Sequence, residues 1–580
     1  MKKLLKYMKE YTKECILAPL FKMLEASFEL LVPLVVTSII DVGIAQKDIP
    51  YIVRMVILMV VLGVIGLACS LTAQYFSAKA AVGFTAKVKS ALFAHIQSLS
   101  YSEMDTMGTS TLITRMTSDM NQVQSGVNLV LRLFLRSPFI VFGAMVMAFT
   151  IDVRAAMVFV VTIPALSIVV FGIMLISMPL YKKVQSGLDS VLRRTRENLS
   201  GVRVIRAFNK EESEIQAFDQ ENASLTRMQM FVGRISALMN PITYIIINVA
   251  ILVLIWTGAW QVEDGVLTQG QVVALVNYMS QILVELIKLA NLIITVTKAL
   301  ACANRAESVF EQTSSMEFSK QTAEDCVSNE EIISFENVGL TYKNAGAESL
   351  SDINLHVKRG QTVGIIGGTG SGKSSLVNLI PRFYDVTRGK ILVDGVDVKE
   401  YPEEQLRGKI GIVPQKAVLF GGTIEENLRW GKEDANEEEM REALEVSQAW
   451  EFVKGREGGM SARIAQNGKN LSGGQRQRLT IARALVRHPE ILILDDSASA
   501  LDYATDAKLR KAIREMDPSI TVFIVSQRAA SIQYADQIVV LDDGAVVGTG
   551  THSELLENCE IYQEIYYSQF PKEVKTHGER

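Results

Sequence analysis

Six apolar runs, all within the first 300 residues of a 580-residue chain, limit what this sequence can fold into. A membrane-spanning helix needs about 20 consecutive apolar residues, and runs near that length lie at 16–44, 55–73, 137–150, 155–178, 241–260 and 272–297. They predict six spanning helices. The third run is short and begins beside Arg132 and Arg136, which predicts a helix that continues past the bilayer. An even number of spans puts both ends of the chain on one side. Lys182, Lys183, Arg193, Arg194, Arg196, Arg203 and Arg206 lie between the fourth and fifth runs, whereas the short outer turns hold little beyond Lys47, Arg54 and Arg154. The excess of positive charge identifies the cytoplasmic side and predicts cytoplasmic termini.

A net charge of −4 gives no reason to expect nucleic acid as a partner, and the basic clusters read as flanks of membrane helices. Residues 1–9 alternate lysine with apolar side chains and lack a small-residue cleavage pattern, so they predict an interfacial amphipathic helix rather than a signal peptide. Cys15, Cys69, Cys302, Cys326 and Cys559 show no metal-ligand or CxxC spacing and read as reduced thiols. Glu25 and Glu29 share one face of the first span, and Glu285 shares a face with Lys288 in the sixth. Ionisable groups at membrane depth are costly. They read either as part of a substrate or proton pathway or as carboxylates that are solvated or paired with a basic residue.

Two cytoplasmic insertions, 76–128 and 181–240, are charged, helical in pattern and far longer than a membrane bundle needs for its connections. A linker at 312–329, rich in Ser, Thr, Glu and Lys, separates the apolar half (1–311) from a soluble half (330–571) and a tail (572–580). Short apolar strands bounded by turn residues, such as 332–335, 362–366, 410–413, 491–494 and 521–525, predict an α/β domain. The second strand runs into Gly367-Gly368-Thr369-Gly370-Ser371-Gly372-Lys373-Ser374, followed by Ser375. In such a loop the backbone N–H groups wrap phosphates, the lysine reaches the outer phosphates and the hydroxyl reaches Mg²⁺.

This loop is followed in order by Leu471-Ser472-Gly473-Gly474-Gln475 and by the strand ending Leu494-Asp495-Asp496. The ordered set resembles the ATP-binding-cassette (ABC) family, and the whole chain resembles its exporter type. The resemblance implies an α-helical membrane domain, six transmembrane helices with long cytoplasmic extensions, followed by an α/β P-loop NTPase cassette. It implies ATP and Mg²⁺, with Tyr342 stacking on adenine, Gln415 near Mg²⁺ and the attacking water, and Asp495 as the Mg²⁺ carboxylate beside Ser374. Ser472, Gly473, Gly474 and Gln475 would close over nucleotide held by a second cassette, and 499–502 would cross to that cassette. Coupling segments are expected at 108–120 and 201–210, the alternative being solvated helical hairpins.

Two positions depart from the family pattern. Asp496 stands where the family has the Glu that orients the attacking water, and Gln527 stands where it has a His that contacts the γ-phosphate. Both losses weaken hydrolysis while the binding residues remain, which resembles the degenerate site of a heterodimeric exporter subunit in a bacterial plasma membrane. A second ABC half-transporter is then the expected partner, alongside membrane lipid and an amphipathic small-molecule substrate. Gln466 also replaces a Glu common in exporters, a change without a physical account. Import through the same architecture, or a nucleotide-gated channel or regulator, are the competing readings.

Overall fold

The computed structural model describes residues 3–323, 330–343 and 345–570. The tail 572–580, residues 324–329 of the linker and Cys326 lie outside the described residues. The chain divides into two compact units, one made of Met1–Gln97 and Thr109–Gln312, the other of Ser98–Gly108 and Thr313–Arg580.

Among the described residues, the first unit holds six helices long and apolar enough to cross a membrane: Leu4–Ile44, Ile49–Gln97, Thr109–Ile151, Val153–Ser200, Glu211–Glu263 and Gln269–Phe310. They run from 41 to 53 residues. At about 1.5 Å per residue a helix of that length is roughly twice the ~30 Å hydrocarbon thickness, so each continues well beyond one. Small side chains let the helices approach closely: Ala26, Ala144, Ala148, Ala156 and Ala274 are buried in one cluster with Ile140, Phe159 and Tyr278. The Tyr278 hydroxyl donates to the Leu30 carbonyl across 2.6 Å. Residues Leu4–Tyr11 form a 3₁₀ helix whose Leu4 is buried beside Phe84, Val88 and Met120. The apolar side of this amphipathic segment therefore meets protein.

The intramembrane charges are paired. Arg136 donates to Glu285 Oε1 and to Glu29 Oε2, each at 2.7 Å, and Glu285 also accepts from Ser137 and Lys288 at 2.7 Å. Glu25 accepts from Lys22 at 2.6 Å, and Lys22 also donates to Ser70 at 3.0 Å. Arg136 and Glu285 are buried, so each supplies the charge that makes the other tolerable there. All three carboxylates, Glu25, Glu29 and Glu285, thus have a basic partner. Cys15, Cys69, Cys302 and Cys559 are free thiols.

The second unit contains the soluble cassette. Strands β1 (Glu331–Leu340), β2 (Leu350–Lys358), β4 (Arg388–Val393) and β5 (Val396–Asp397) form an antiparallel sheet in the order β2-β1-β4-β5. A six-stranded sheet has the order β12-β11-β3-β10-β9-β6. Its strands are β3 (Thr362–Gly367), β6 (Ile410–Val413), β9 (Ile491–Asp495), β10 (Thr521–Val525), β11 (Gln537–Asp542) and β12 (Ala545–Gly550). Gly422–Thr423 (β7) and Arg463–Ile464 (β8) make a small ladder of their own. All pairings in the larger sheet are parallel except β11 with β12. Parallel strands buried on both faces read as continuous apolar runs, which is why Ile491–Asp495 and Thr521–Val525 are buried throughout.

The short helix Tyr101–Met107 belongs to this second unit, whereas Thr109 onward returns to the first. The segment grouped with the cassette is thus 98–108, and of the expected 108–120 only Gly108 belongs to it. Gly108 explains the boundary: at φ 75° it adopts a conformation suited to glycine, and its N–H closes the helix on Met104 O at 2.9 Å. The second expected segment contains a helix, Val202–Ala207, with no buried residue.

Candidate functional site

Parallel pairing brings the carboxyl ends of β3, β9 and β10 to one edge of the sheet, since Asp495 lies opposite Val525 and Val525 opposite Ile365. Ligands of open α/β sheets bind beyond such edges. Here the edge opens into a cavity of about 510 Å³. Its lining includes Thr369, Gly370, Gly372, Lys373, Ser374, Ser375, Gln415, Asp495, Asp496 and Gln527.

The loop after β3 turns at Gly370 (φ 85°) and Gly372 (φ 92°), both in the region that favours glycine, before the helix Lys373–Leu379 begins. At Gly367 the constraint is space, because a Cβ would come within 2.1 Å of Leu541 O. Lys373 Nζ donates to Gly367 O at 3.0 Å and Gly368 O at 2.5 Å, with Ser371 Oγ at 3.4 Å. Burial holds the Lys373 ammonium below the ordinary lysine range, and the charges of Asp496 and Asp495 only partly offset that. An ammonium held on carbonyls inside a glycine loop is ready to exchange those partners for phosphate oxygens.

Ser374 Oγ donates to Asp495 Oδ1 at 3.0 Å. Burial pushes the Asp495 carboxyl up, with Asp496 adding to the shift, while the Ser374 bond and Lys373 oppose it. Asp496 sits at φ 46°, and its N–H bonds Val525 O at 2.9 Å. Aspartate is among the few residues that enter the left-handed region readily, and the turn brings its carboxylate into the cavity. Gln415 Nε2 reaches Asp496 Oδ2 at 3.5 Å, the outer limit of a hydrogen bond. No cluster of three or more His, Cys, Asp or Glu side chains suited to a metal occurs among the described residues. The hydroxyl, amide and carboxylate oxygens of Ser374, Gln415 and Asp495 nevertheless form the hard-oxygen set that Mg²⁺ prefers when phosphates complete its shell.

Gln527 is exposed and lines the cavity, and its backbone is fixed by the last residue of the helix Glu560–Gln569. Gln569 Nε2 donates to Gln527 O at 2.8 Å, and Gln569 Oε1 accepts from Ala529 N at 2.9 Å.

Other expected site residues are not among those that line this cavity. Tyr342 is absent from the lining. Its hydroxyl donates to Ser375 Oγ at 2.9 Å, and its ring meets Tyr384 edge-on at 5.0 Å and 89°. Ser472 caps the helix Gly473–Leu485 in a reciprocal box: Gln475 N donates to Ser472 Oγ at 3.2 Å, and Ser472 N donates to Gln475 Oε1 at 3.1 Å. Ser472 and Gly473 are exposed, and nothing lies within 4 Å of a Cβ placed on Gly473. The signature segment thus presents an exposed helix N-terminus, and none of its residues lines the cavity. Gln466 is exposed on a short turn that the neighbouring Asn467 N–H ties to Leu419 O at 3.1 Å.

Sequence reasoning missed Ser349, Asp543 and Gly544, which also line the cavity. The signal for the last two was present. Asp543 (φ 41°) and Gly544 (φ 81°) are the two-residue turn between β11 and β12, and Asp-Gly is a favoured hairpin dipeptide.

Two family profiles match: the ABC transporter transmembrane region over residues 15–286, and the ABC transporter profile over residues 350–499. The chain is 37% identical to an uncharacterized ABC transporter ATP-binding protein of Mycobacterium bovis, over 97% of each chain. It belongs to the ABC transporter family. Another such ABC transporter protein, of Bacillus subtilis, is 36% identical over 99% of each chain. The ATP-dependent lipid A-core flippase of Escherichia coli is 29% identical over 92% of this chain and 91% of its own. The fold is similar to that of a bacterial Atm1-family ABC exporter solved with ATP bound, with a TM-score of 0.79 and 22% identity over 96% of this chain and 99% of that one. This ABC transporter is therefore an integral membrane protein, similar in fold to an exporter, whose cassette binds ATP and couples its hydrolysis to transport.

Proposed function

We propose that this chain is one half of a heterodimeric bacterial exporter for amphipathic small molecules or lipids, that it holds ATP at a degenerate site, and that it completes the hydrolytic site of its partner. The carrying observation is the pairing of Asp496 and Gln527 at a cavity edge whose Lys373, Ser374 and Asp495 are in place. A carboxylate about 1 Å short of its target can lose ~10²-fold where rate depends on near-attack geometry, and a neutral amide cannot supply the charge of a histidinium. Binding does not need either group. Lys373 and the N–H groups of Gly368–Ser375 would hold the phosphates, Tyr342 would stack on adenine, and Ser374, Gln415 and Asp495 would hold Mg²⁺. The cation, when bound, neutralises charge that develops on the transferred phosphoryl group.

The exposed Ser472 and Gly473 favour a second subunit, because helix N-termini suit phosphate and no signature residue lines this chain's own cavity. Exposed apolar side chains at the second connecting segment point the same way: Leu199 is 73% exposed and Phe208 70%. Termini on the cytoplasmic side of a plasma membrane follow from the basic flanks and from the location of ATP. The flippase among the relatives is the reason for placing lipids beside other amphiphiles as substrates.

The test compares two substitutions in the purified two-subunit complex. Ser472→Ala is expected to lower steady-state ATPase activity far more than Asp496→Asn. A larger loss from Asp496→Asn would assign the main hydrolytic site to this chain and reject the allocation.

A further inference from the structure

Tyr342 is attached to more than the phosphate loop. Its ring makes a T-shaped contact with that of Tyr384, and the Tyr384 hydroxyl donates to Asp105 Oδ2 at 2.6 Å on the helix Tyr101–Met107. The adjacent Lys343 reaches Glu103 Oε1 of the same helix at 3.8 Å. Glu103 is itself buried and accepts from Ser100 Oγ, with Ser315 N at 3.4 Å. Burial pushes its carboxyl up, but these hydrogen bonds prevail and hold it below its usual range. Burial also pushes the Tyr384 phenol well up, with Asp105 adding to the shift, so it stays protonated and donates.

The geometry points to Tyr384 as a positioning residue for ATP, one that sets the angle at which Tyr342 presents its ring to the base and makes base binding depend on where Asp105 sits. This rests on the proposed stacking of Tyr342 on adenine. A perpendicular aromatic neighbour fixes the tilt of a ring, and Tyr384 cannot rotate away without breaking a bond to a carboxylate, among the stronger hydrogen bonds. From Ser375 in the first turn of the phosphate-loop helix, the contacts pass through Tyr342 and Tyr384 to Asp105. Asp105 lies within a segment flanked in sequence by Gln97 and Thr109 of the helical unit. A shift of that segment would thus be felt at the base before it is felt at the phosphates.

The experiment uses the full transporter, purified with its partner, with the partner's phosphate-loop lysine replaced so that only this site binds. Competition binding compares ATP with tripolyphosphate, which has no base. Tyr384→Phe is expected to weaken ATP about fivefold, the scale of a lost aromatic or hydrogen-bond constraint, with tripolyphosphate unchanged within about twofold. Asp105→Ala should match it, Asp105→Asn should restore most of the affinity because its carbonyl still accepts, and neither Tyr384→Phe nor Asp105→Ala should add to Tyr342→Ala. Equal weakening of ATP and tripolyphosphate, or no weakening of ATP, overturns the assignment. If Tyr342→Ala itself leaves ATP affinity unchanged, the stacking reading fails. If Tyr342→Ala weakens ATP while Tyr384→Phe does not, only the positioning role fails.

Discussion

Restoring the missing methylene at residue 496 tests the degenerate-site reading most directly. In the structure the Asp496 carboxylate only just reaches Gln415, at 3.5 Å, from a backbone held at φ 46° with its N–H on Val525 O. Asp496→Glu keeps the charge and extends the reach by about 1 Å, which recovers at most ~10²-fold, or ~2.7 kcal/mol of barrier. The gain has a cost: glutamate lacks the local hydrogen bonding that eases aspartate into the left-handed region, where a side chain typically costs ~1–2 kcal/mol. The expected result for Asp496→Glu alone is a rise of about tenfold in hydrolysis at this site. Adding Gln527→His should raise it further but not to the partner's rate, since the opposing signature belongs to the partner, where the proposed asymmetry expects an altered one. The assay is single-turnover decay of ATP, resolved by site through a photoreactive ATP that labels each subunit separately. Wild-type decay at this site as fast as the partner's would refute the reasoning, and so would an unchanged rate in the double variant with full ATP occupancy.

Lys373→Ala should abolish tight ATP binding at this site while leaving the membrane helices folded, as measured by subunit-resolved nucleotide occupancy and circular dichroism; retained occupancy would remove the phosphate-loop assignment. In the helical unit, Arg136→Met leaves Glu285 and Glu29 without their shared cation, and breaking such a buried pair typically costs about 3–5 kcal/mol. The double change Arg136→Met with Glu285→Met should melt at a higher temperature than Arg136→Met alone in thermal unfolding of the detergent-purified protein, and simple additivity would show that the two groups are not coupled.

The six spans and the nucleotide motifs were legible because both are local: a run of apolar residues, or glycines at fixed offsets, carries its physics within a few residues. The pairing of Arg136 with Glu285 was not, since 149 positions separate them and only helix packing brings them together. The same limit hid the setting of Tyr342. Its place ahead of the phosphate loop could be read, but its hydrogen bond to Ser375 and its contact with Tyr384 depend on how the two sheets pack. The first connecting segment was misplaced by several residues for a local reason. In the sequence Gly108 reads as the start of the segment, whereas its positive φ makes it the stop signal of the helix before.

Gln569 holds the loop of residue 527 entirely through main-chain atoms, the carbonyl of Gln527 and the N–H of Ala529. The course of the loop is therefore indifferent to which side chain residue 527 bears. An ancestor could exchange a histidine for a glutamine there, or a descendant reverse it, by a single codon change and without rebuilding the surrounding backbone. On the proposed asymmetry, one of the two changes that separate a slow site from a fast one therefore leaves the backbone that carries it undisturbed.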